Sequence, residues 1–176
     1  WNEDKQLITI EDNAMSRQLC VDGRPISPGG WYVRSVVKSL KEQVLVTYST
    51  EPHIVHVAWL GLDGSINKLT ESDAVHTAVA SDSTVVISRA GLDSSAPTIE
   101  VNHLAYTSQI AVKSHPAPLE AKPIFHRVGD HRIPVAVFFP TGHELGSEKL
   151  PVVKAPYAGP QFQPWKANAR MHLTSQ

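Results

Sequence analysis

Cysteine is almost missing from this chain: Cys20 stands alone among 176 residues. An intrachain disulfide is excluded, a zinc site built on several thiolates is excluded with it, and a reducing compartment such as the cytoplasm is the expected setting. Charge of one sign is missing too. Sixteen Lys and Arg stand against seventeen Asp and Glu, a formal net charge of −1, so no long-range field favours nucleic acid or an anionic membrane surface. No apolar run approaches the roughly 18 residues that cross a bilayer, and Trp1-Asn2-Glu3-Asp4 has neither the basic nor the apolar part of a signal peptide. Gly-x-Ser-x-Gly, Gly-rich phosphate loops and Asn-x-Ser/Thr acceptors do not occur, which excludes a nucleophile elbow and a nucleotide cradle within these residues. Trp1 without a methionine before it, and Leu173-Thr174-Ser175-Gln176 without a charged tail, read as the ends of a segment of a longer protein.

What is present reads as sheet. A hydrophobic content of 41% suffices for one ordinary domain or two small ones. Lys5 to Ile10 and Arg17 to Val21 are short β-branched runs, the second ending in the turn pair Asp22-Gly23. The pattern returns as Gln43 to Tyr48 and Ile54 to Leu60, followed by Asp63-Gly64, and again as Thr84 to Ser88 and Thr98 to Val101. The Asp-Gly pairs lie 41 positions apart, as do Gln43 and Thr84, while Gln6 and Gln43 lie 37 apart. Strand-like segments, Trp31 to Val36 and Ala74 to Val79, precede the second and third copies. Four short strands in about 40 residues are the period of a β-propeller blade. A β-sandwich spaces its strands similarly. Two or three copies cannot close a propeller, so unpaired strand edges are expected, with homo-oligomers through them as one outcome.

After Ala105 the pattern changes. Ser114 to Pro123 holds three prolines in ten residues, which favours an extended linker between residues 1–113 and 124–176. Beyond it, Ile124 to Val128 and Ile133 to Phe139 flank Gly129-Asp130-His131-Arg132 as a hairpin, with Pro134 near a sheet edge. Leu150 to Lys154 then reads as a buried apolar strand, Pro156-Tyr157-Ala158-Gly159-Pro160 as a turn, and Trp165 to Gln176 as helix by propensity. Strand, loop and helix in that order begin an α/β domain.

The pentapeptide Pro156 to Pro160, preceded by Leu150-Pro151-Val152-Val153, resembles the start of the catalytic domain in the prolyl oligopeptidase family of serine peptidases, most closely its dipeptidyl peptidase IV branch. The Gly30-Trp31 strand start adds to that resemblance. It implies a mainly β chain made of the last blades of a β-propeller (1–113), a Pro-rich linker (114–123) and the first strands and helix of an α/β-hydrolase domain (124–176). It also implies a peptide substrate, no cofactor, and a hydroxyl of Tyr157 that donates to the oxyanion while nucleophile, acid and base lie elsewhere. Such hydrolases take one oxyanion donor from beside the nucleophile and another from the loop after an early strand. Lys154-Ala155 stands where relatives carry an acidic residue, and the Glu-Glu pair with which the dipeptidyl branch reads a substrate amino terminus is absent. A non-enzymatic β-propeller or β-sandwich module that binds a peptide or protein is the competing expectation.

Other candidates have plainer readings. Among nine histidines, His53 and His56 are spaced for opposite faces of a strand, and His126 and His131 flank the hairpin turn; no metal is expected. Trp31, Trp59 and Trp165 suit core packing better than a ligand groove. Lys122, Arg127 and Arg132 suit a solvated face or interdomain ion pairs.

Overall fold

A computed structural model describes residues 1–13, 16–113, 115, 122–140, 142–156 and 165–172. They are mainly β, in several sheets that close no barrel. Strands β1 (Ile8–Asp12), β2 (Arg17–Val21) and β3 (Arg24–Pro25) form a first antiparallel meander. A second comprises β4 (Tyr32–Ser39), β5 (Gln43–Ser49), β6 (His56–Gly61) and β7 (Ile66–Lys68), and a third β8 (Val75–Ala80), β9 (Thr84–Ala90), β10 (Thr98–His103) and β11 (Tyr106–Ile110). The strand segments expected within residues 1–113 all contain strands. Both Asp-Gly pairs join the last two strands of a meander, and at the first of them Asp22 and Gly23 adopt φ of 49° and 76°, the left-handed pair that a two-residue hairpin turn requires.

Each meander uses its alternation to face its neighbours. In β5, Val44, Val46 and Tyr48 turn to a core with Leu19, Trp31, Val33, Ala58 and Leu60, which Ile8, Ile10 and Ile26 of the first meander flank. Leu45 turns the other way, with Val57 of β6, onto Val85 and Ile87 of the third meander. Covered on both faces, β5 is buried at every position from Val44 to Ser49, which is why it reads as a continuous apolar run rather than an alternating one. Strand β11 is the opposite case, an edge exposed along its whole length.

The meanders are joined by the same device twice. Arg17, at the start of β2, pairs in parallel with Tyr32, and its N–H reaches the Trp31 carbonyl at 3.3 Å. Val55, just before β6, pairs in parallel with Val75, its N–H on the Ala74 carbonyl at 3.0 Å, and His76 returns an N–H to the Val55 carbonyl at 3.0 Å. The next-to-last strand of one meander, or the residue just before it, thus touches the first strand of the next at a single point, so the meanders meet at a corner and enclose apolar residues between their faces.

Strands β12 (Ile124–Val128) and β13 (Ile133–Val137) form a separate two-stranded hairpin with Pro134 opposite Arg127. Two expectations for the C-terminal part change. Leu150 to Lys154 is not a strand, and Val152 and Val153 are 81% and 93% exposed. Pro151 removes a ladder donor, and no strand among the described residues lies beside the run to pair with it. Of the helix expected over Trp165 to Gln176, the described residues 165–172 form only a 3₁₀ turn over Ala169–His172. There Ala167 N–H bonds the His53 carbonyl at 2.7 Å and Ala169 N–H the Gly91 carbonyl at 2.9 Å, so a tertiary partner takes the Ala169 donor that a helix begun at Trp165 would direct to its own carbonyl. Of the expected linker, residues 114 and 116–121 lie outside the described residues.

Candidate functional site

The sequence leads to one end of the meanders, where β4, β6 and β8 begin and β5 and β9 finish. Four rings form a ladder there. Trp31 stacks on Tyr48 with centroids 3.4 Å apart, Tyr48 meets His56 at 5.4 Å, and His56 meets His76 of the next meander at 6.0 Å. His76 is buried at 3% exposure. Its Nδ1–H donates to the Val55 carbonyl at 2.7 Å, because a carbonyl only accepts. Neutral His76 therefore carries its lone pair on Nε2, 3.2 Å from the Ser72 hydroxyl. Ser72 Oγ in turn accepts from Arg89 Nε at 3.1 Å, and Arg89 pairs with Asp93 at 3.0 Å. The order Arg89, Ser72, His76, Val55 leaves each proton one direction to point.

Ser72 and His76 have the spacing of a nucleophile and its base, but their surroundings suit a latch. Burial pushes the His76 imidazole below its ordinary value; the Val55 carbonyl opposes this, and His56 and Arg89 add to it. A base so depressed accepts the hydroxyl proton weakly. His56 is likewise lowered by burial, against the pull of Asp73.

A second set of contacts shapes the loop between β5 and β6. Buried Ser49 donates its hydroxyl to the Ile54 carbonyl and accepts from Arg34 Nε at 2.6 Å, while Arg34 Nη2 reaches the Pro52 carbonyl at 3.1 Å. Burial lowers Arg34 from its usual value. The loop so pinned presents Glu51 and His53 to the β12–β13 hairpin. Arg127 bonds Glu51 at 2.6 Å, and His53 stacks on Phe125 with centroids 4.0 Å apart. Between them lies a cleft of about 240 Å³ walled by Pro52, His53, Phe125, Arg127, Val135 and Trp165. Its aromatic walls and one ion pair suit an apolar side chain flanked by a polar group. Burial lowers His53, with Glu51 and Asp73 opposing. Burial also lowers Lys166, and Arg34 adds to it.

Among the described residues, Trp31, His53, Arg127 and Trp165 lie around this end. Tyr157 and the rest of Tyr157 to Pro160 lie outside the described residues. Trp31 is core, as expected, and Trp165 packs near Phe138 and His172 while lining the cleft. His53 precedes its strand and meets Phe125, whereas His56 meets Tyr48, so the two are not brought together. Arg127 pairs across to the meanders through Glu51. Among the described residues no three or more His, Cys, Asp or Glu side chains converge as a metal requires, and no helix is long and apolar enough to cross a membrane.

Sequence reasoning missed Arg34, Ser72, His76 and Arg89. The signal for His76 was its phase: Ala74, His76, Ala78 and Ala80 alternate with outward residues, which puts the imidazole inward where it needs partners. No protein-family model matches the chain, and no curated protein sequence matches it.

Proposed function

We propose that this chain is the propeller-to-hydrolase junction of a serine peptidase of the prolyl oligopeptidase type. Its meanders are blades of a β-propeller, and its residues from 124 onward begin an α/β-hydrolase domain in which Tyr157 donates to the oxyanion. The observation that carries the reading is the repeated corner joint, Arg17 to Tyr32 and Val55 to Val75, in a chain that goes on to Pro156-Tyr157-Ala158-Gly159-Pro160. Blades succeed one another by such repetition. The substrate class is a short peptide, cleaved through an acyl-enzyme on a serine outside these residues. Tyr157 would act on the oxygen that gains charge in the tetrahedral intermediate, where a fixed donor has the most effect.

The test is a fluorophosphonate serine probe applied to the 176-residue chain and to the full-length polypeptide that contains it. One labelled serine in the latter, beyond residue 176, and none in the former is the expected result. A full-length protein without a reactive serine, or a labelled serine within residues 1–176, sinks the reading. The former outcome would favour a second reading, a non-enzymatic peptide-binding module, for which the aromatic-walled cleft beside Trp165 is the specific support.

A further inference from the structure

The two corner joints do the same structural task with different side chains. Where the second and third meanders meet, the register partners are Val55 and Val75, and Thr77 follows two residues along β8. Where the first and second meet, the corresponding residues are Arg17, Tyr32 and Arg34. A joint of this kind does not call for charge, so the two guanidiniums need another reason to be there.

Both lie against one ring. Arg17 Cζ is 5.8 Å from the Tyr32 centroid and Arg34 Cζ 5.9 Å, and Tyr32 is 47% exposed. Neither charge is well matched among the described residues. Arg34 bonds neutral acceptors, the Ser49 hydroxyl and the Pro52 carbonyl, and no carboxylate there lies within ion-pair distance of it. Arg17 Nε is shut off from solvent without a hydrogen-bond partner. Its one carboxylate neighbour, Asp12 Oδ1, stands 3.5 Å away on a side chain that is 74% exposed, whereas a charge-assisted bond is about 2.7–2.9 Å long. Burial lowers Arg34 from its usual value, the Tyr32 phenol opposes this, and Arg17 adds to it. The ring offsets part of the repulsion between the two cations. Partly buried charge is otherwise retained where it is paired.

We propose that Arg17 and Arg34, flanking Tyr32 at the first corner joint, form a binding site for a carboxylate carried by a peptide or a small organic acid. Guanidinium forks match carboxylate oxygens in geometry, and the half-exposed Tyr32 ring offers apolar surface to the group that bears the carboxylate. Charge selects a monoanion. Arg17 and Arg34 against Asp12 leave one positive charge in excess, which one carboxylate neutralises, while a phosphate monoester brings up to two negative charges beside Asp12. The site is separate from the cleft at Trp165 and needs no reactive serine.

The experiment titrates benzoate, acetyl-trialanine with a free C-terminus, and phenyl phosphate into the full-length polypeptide and into the 176-residue chain. Calorimetry at constant ionic strength, which holds general screening fixed, gives the affinities, and the arginine Nε–H resonances of the 176-residue chain map the site. The expected result is saturable binding of a carboxylate probe to both proteins, with the Arg17 and Arg34 resonances moving together and phenyl phosphate binding more weakly. Arg17→Gln should weaken the carboxylate at least about tenfold, the loss of one bond to a charged group. The tighter carboxylate probe names the source, small acid or peptide. Absence of saturable binding, an affinity unchanged in Arg17→Gln, or binding confined to the 176-residue chain overturns the proposal. Tighter binding of phenyl phosphate overturns it too and assigns the arginines to a phosphate. If Arg17→Gln does not fold, the resonance map decides without a variant: shifts that spare Arg17 and Arg34 overturn the site.

Discussion

His76 on β8 donates its Nδ1–H to the carbonyl of Val55, 2.7 Å away on the neighbouring meander. The same carbonyl also accepts the His76 backbone N–H at 3.0 Å, so both lone pairs of one buried oxygen are filled by a single residue. A corner joint of one parallel pair supplies little ladder. The side chain makes up the difference, which is why an imidazole stands at an inward strand position otherwise filled by alanine.

Replacing His76 by Ala should therefore weaken the joint by more than its modest apolar area suggests. The Val55 carbonyl loses one of its two donors and exposed Ser72 loses its acceptor, and a hydrogen bond lost in this way costs about 0.5–1.5 kcal/mol. Urea unfolding of the 176-residue chain measures this. A loss below about 0.5 kcal/mol, the range of ordinary surface substitutions, would remove the latch from the account.

Acid should loosen the same end of the molecule. Burial lowers His53, His56, His76 and His172 from 6.5, so between 6.5 and their depressed native values the unfolded chain binds protons that the folded chain refuses. By linkage, stability rises with pH wherever the unfolded state holds more protons. It is fully present above about pH 6.5 and is lost progressively as pH falls below it. Urea midpoints at pH 7.5 and 5.5 test this in the wild type and in His172→Asn. The wild type should have the lower midpoint at pH 5.5, and the variant a shallower dependence; a flat profile in the wild type would show that the imidazoles are solvated.

Most of the meander architecture was legible because alternation and turn chemistry are local. Val85 to Ile87, Val44 to Tyr48 and both Asp-Gly turns carry their strand and turn preferences within a few residues. The joints were not legible, since a parallel pair such as Val55 and Val75 depends on where two strands end relative to each other. The run Leu150-Pro151-Val152-Val153 misled for the complementary reason. Its apolar, β-branched composition is also that of a buried strand, but a strand is defined by its partner, and the composition of one segment does not supply one. For the candidate site, a core Trp31 and an ion pair as one of the two readings of Arg127 followed from residue type, whereas Ser72 and Arg89 are ordinary surface residues until Ser72 bridges Arg89 to His76 on β8.

The contrast between Leu45 and Val153 follows from that difference. Leu45 is 0% exposed between two sheets, and Val153 is 93% exposed. In the 176-residue chain Leu45→Ala should cost about 2–5 kcal/mol, the range for emptying a packed core position, while Val153→Ala should stay within about 0.5 kcal/mol. Chemical unfolding of both variants decides it. A large loss at Val153 would mean that the run from Leu150 is buried in solution.

The oxyanion role proposed for Tyr157 makes the sharpest demand on the full-length protein. A donor that acts on developing charge contributes little before the carbonyl oxygen becomes an oxyanion. Tyr157→Phe, which removes only the hydroxyl, should therefore lower kcat by about 10²–10³, the range for one oxyanion donor. KM should change little, the pattern of an interaction made in the transition state alone. Steady-state kinetics on a prolyl dipeptide substrate measures both. A raised KM with unchanged kcat would make the tyrosine a substrate-binding group, and no change in either would leave it a packing residue of its turn.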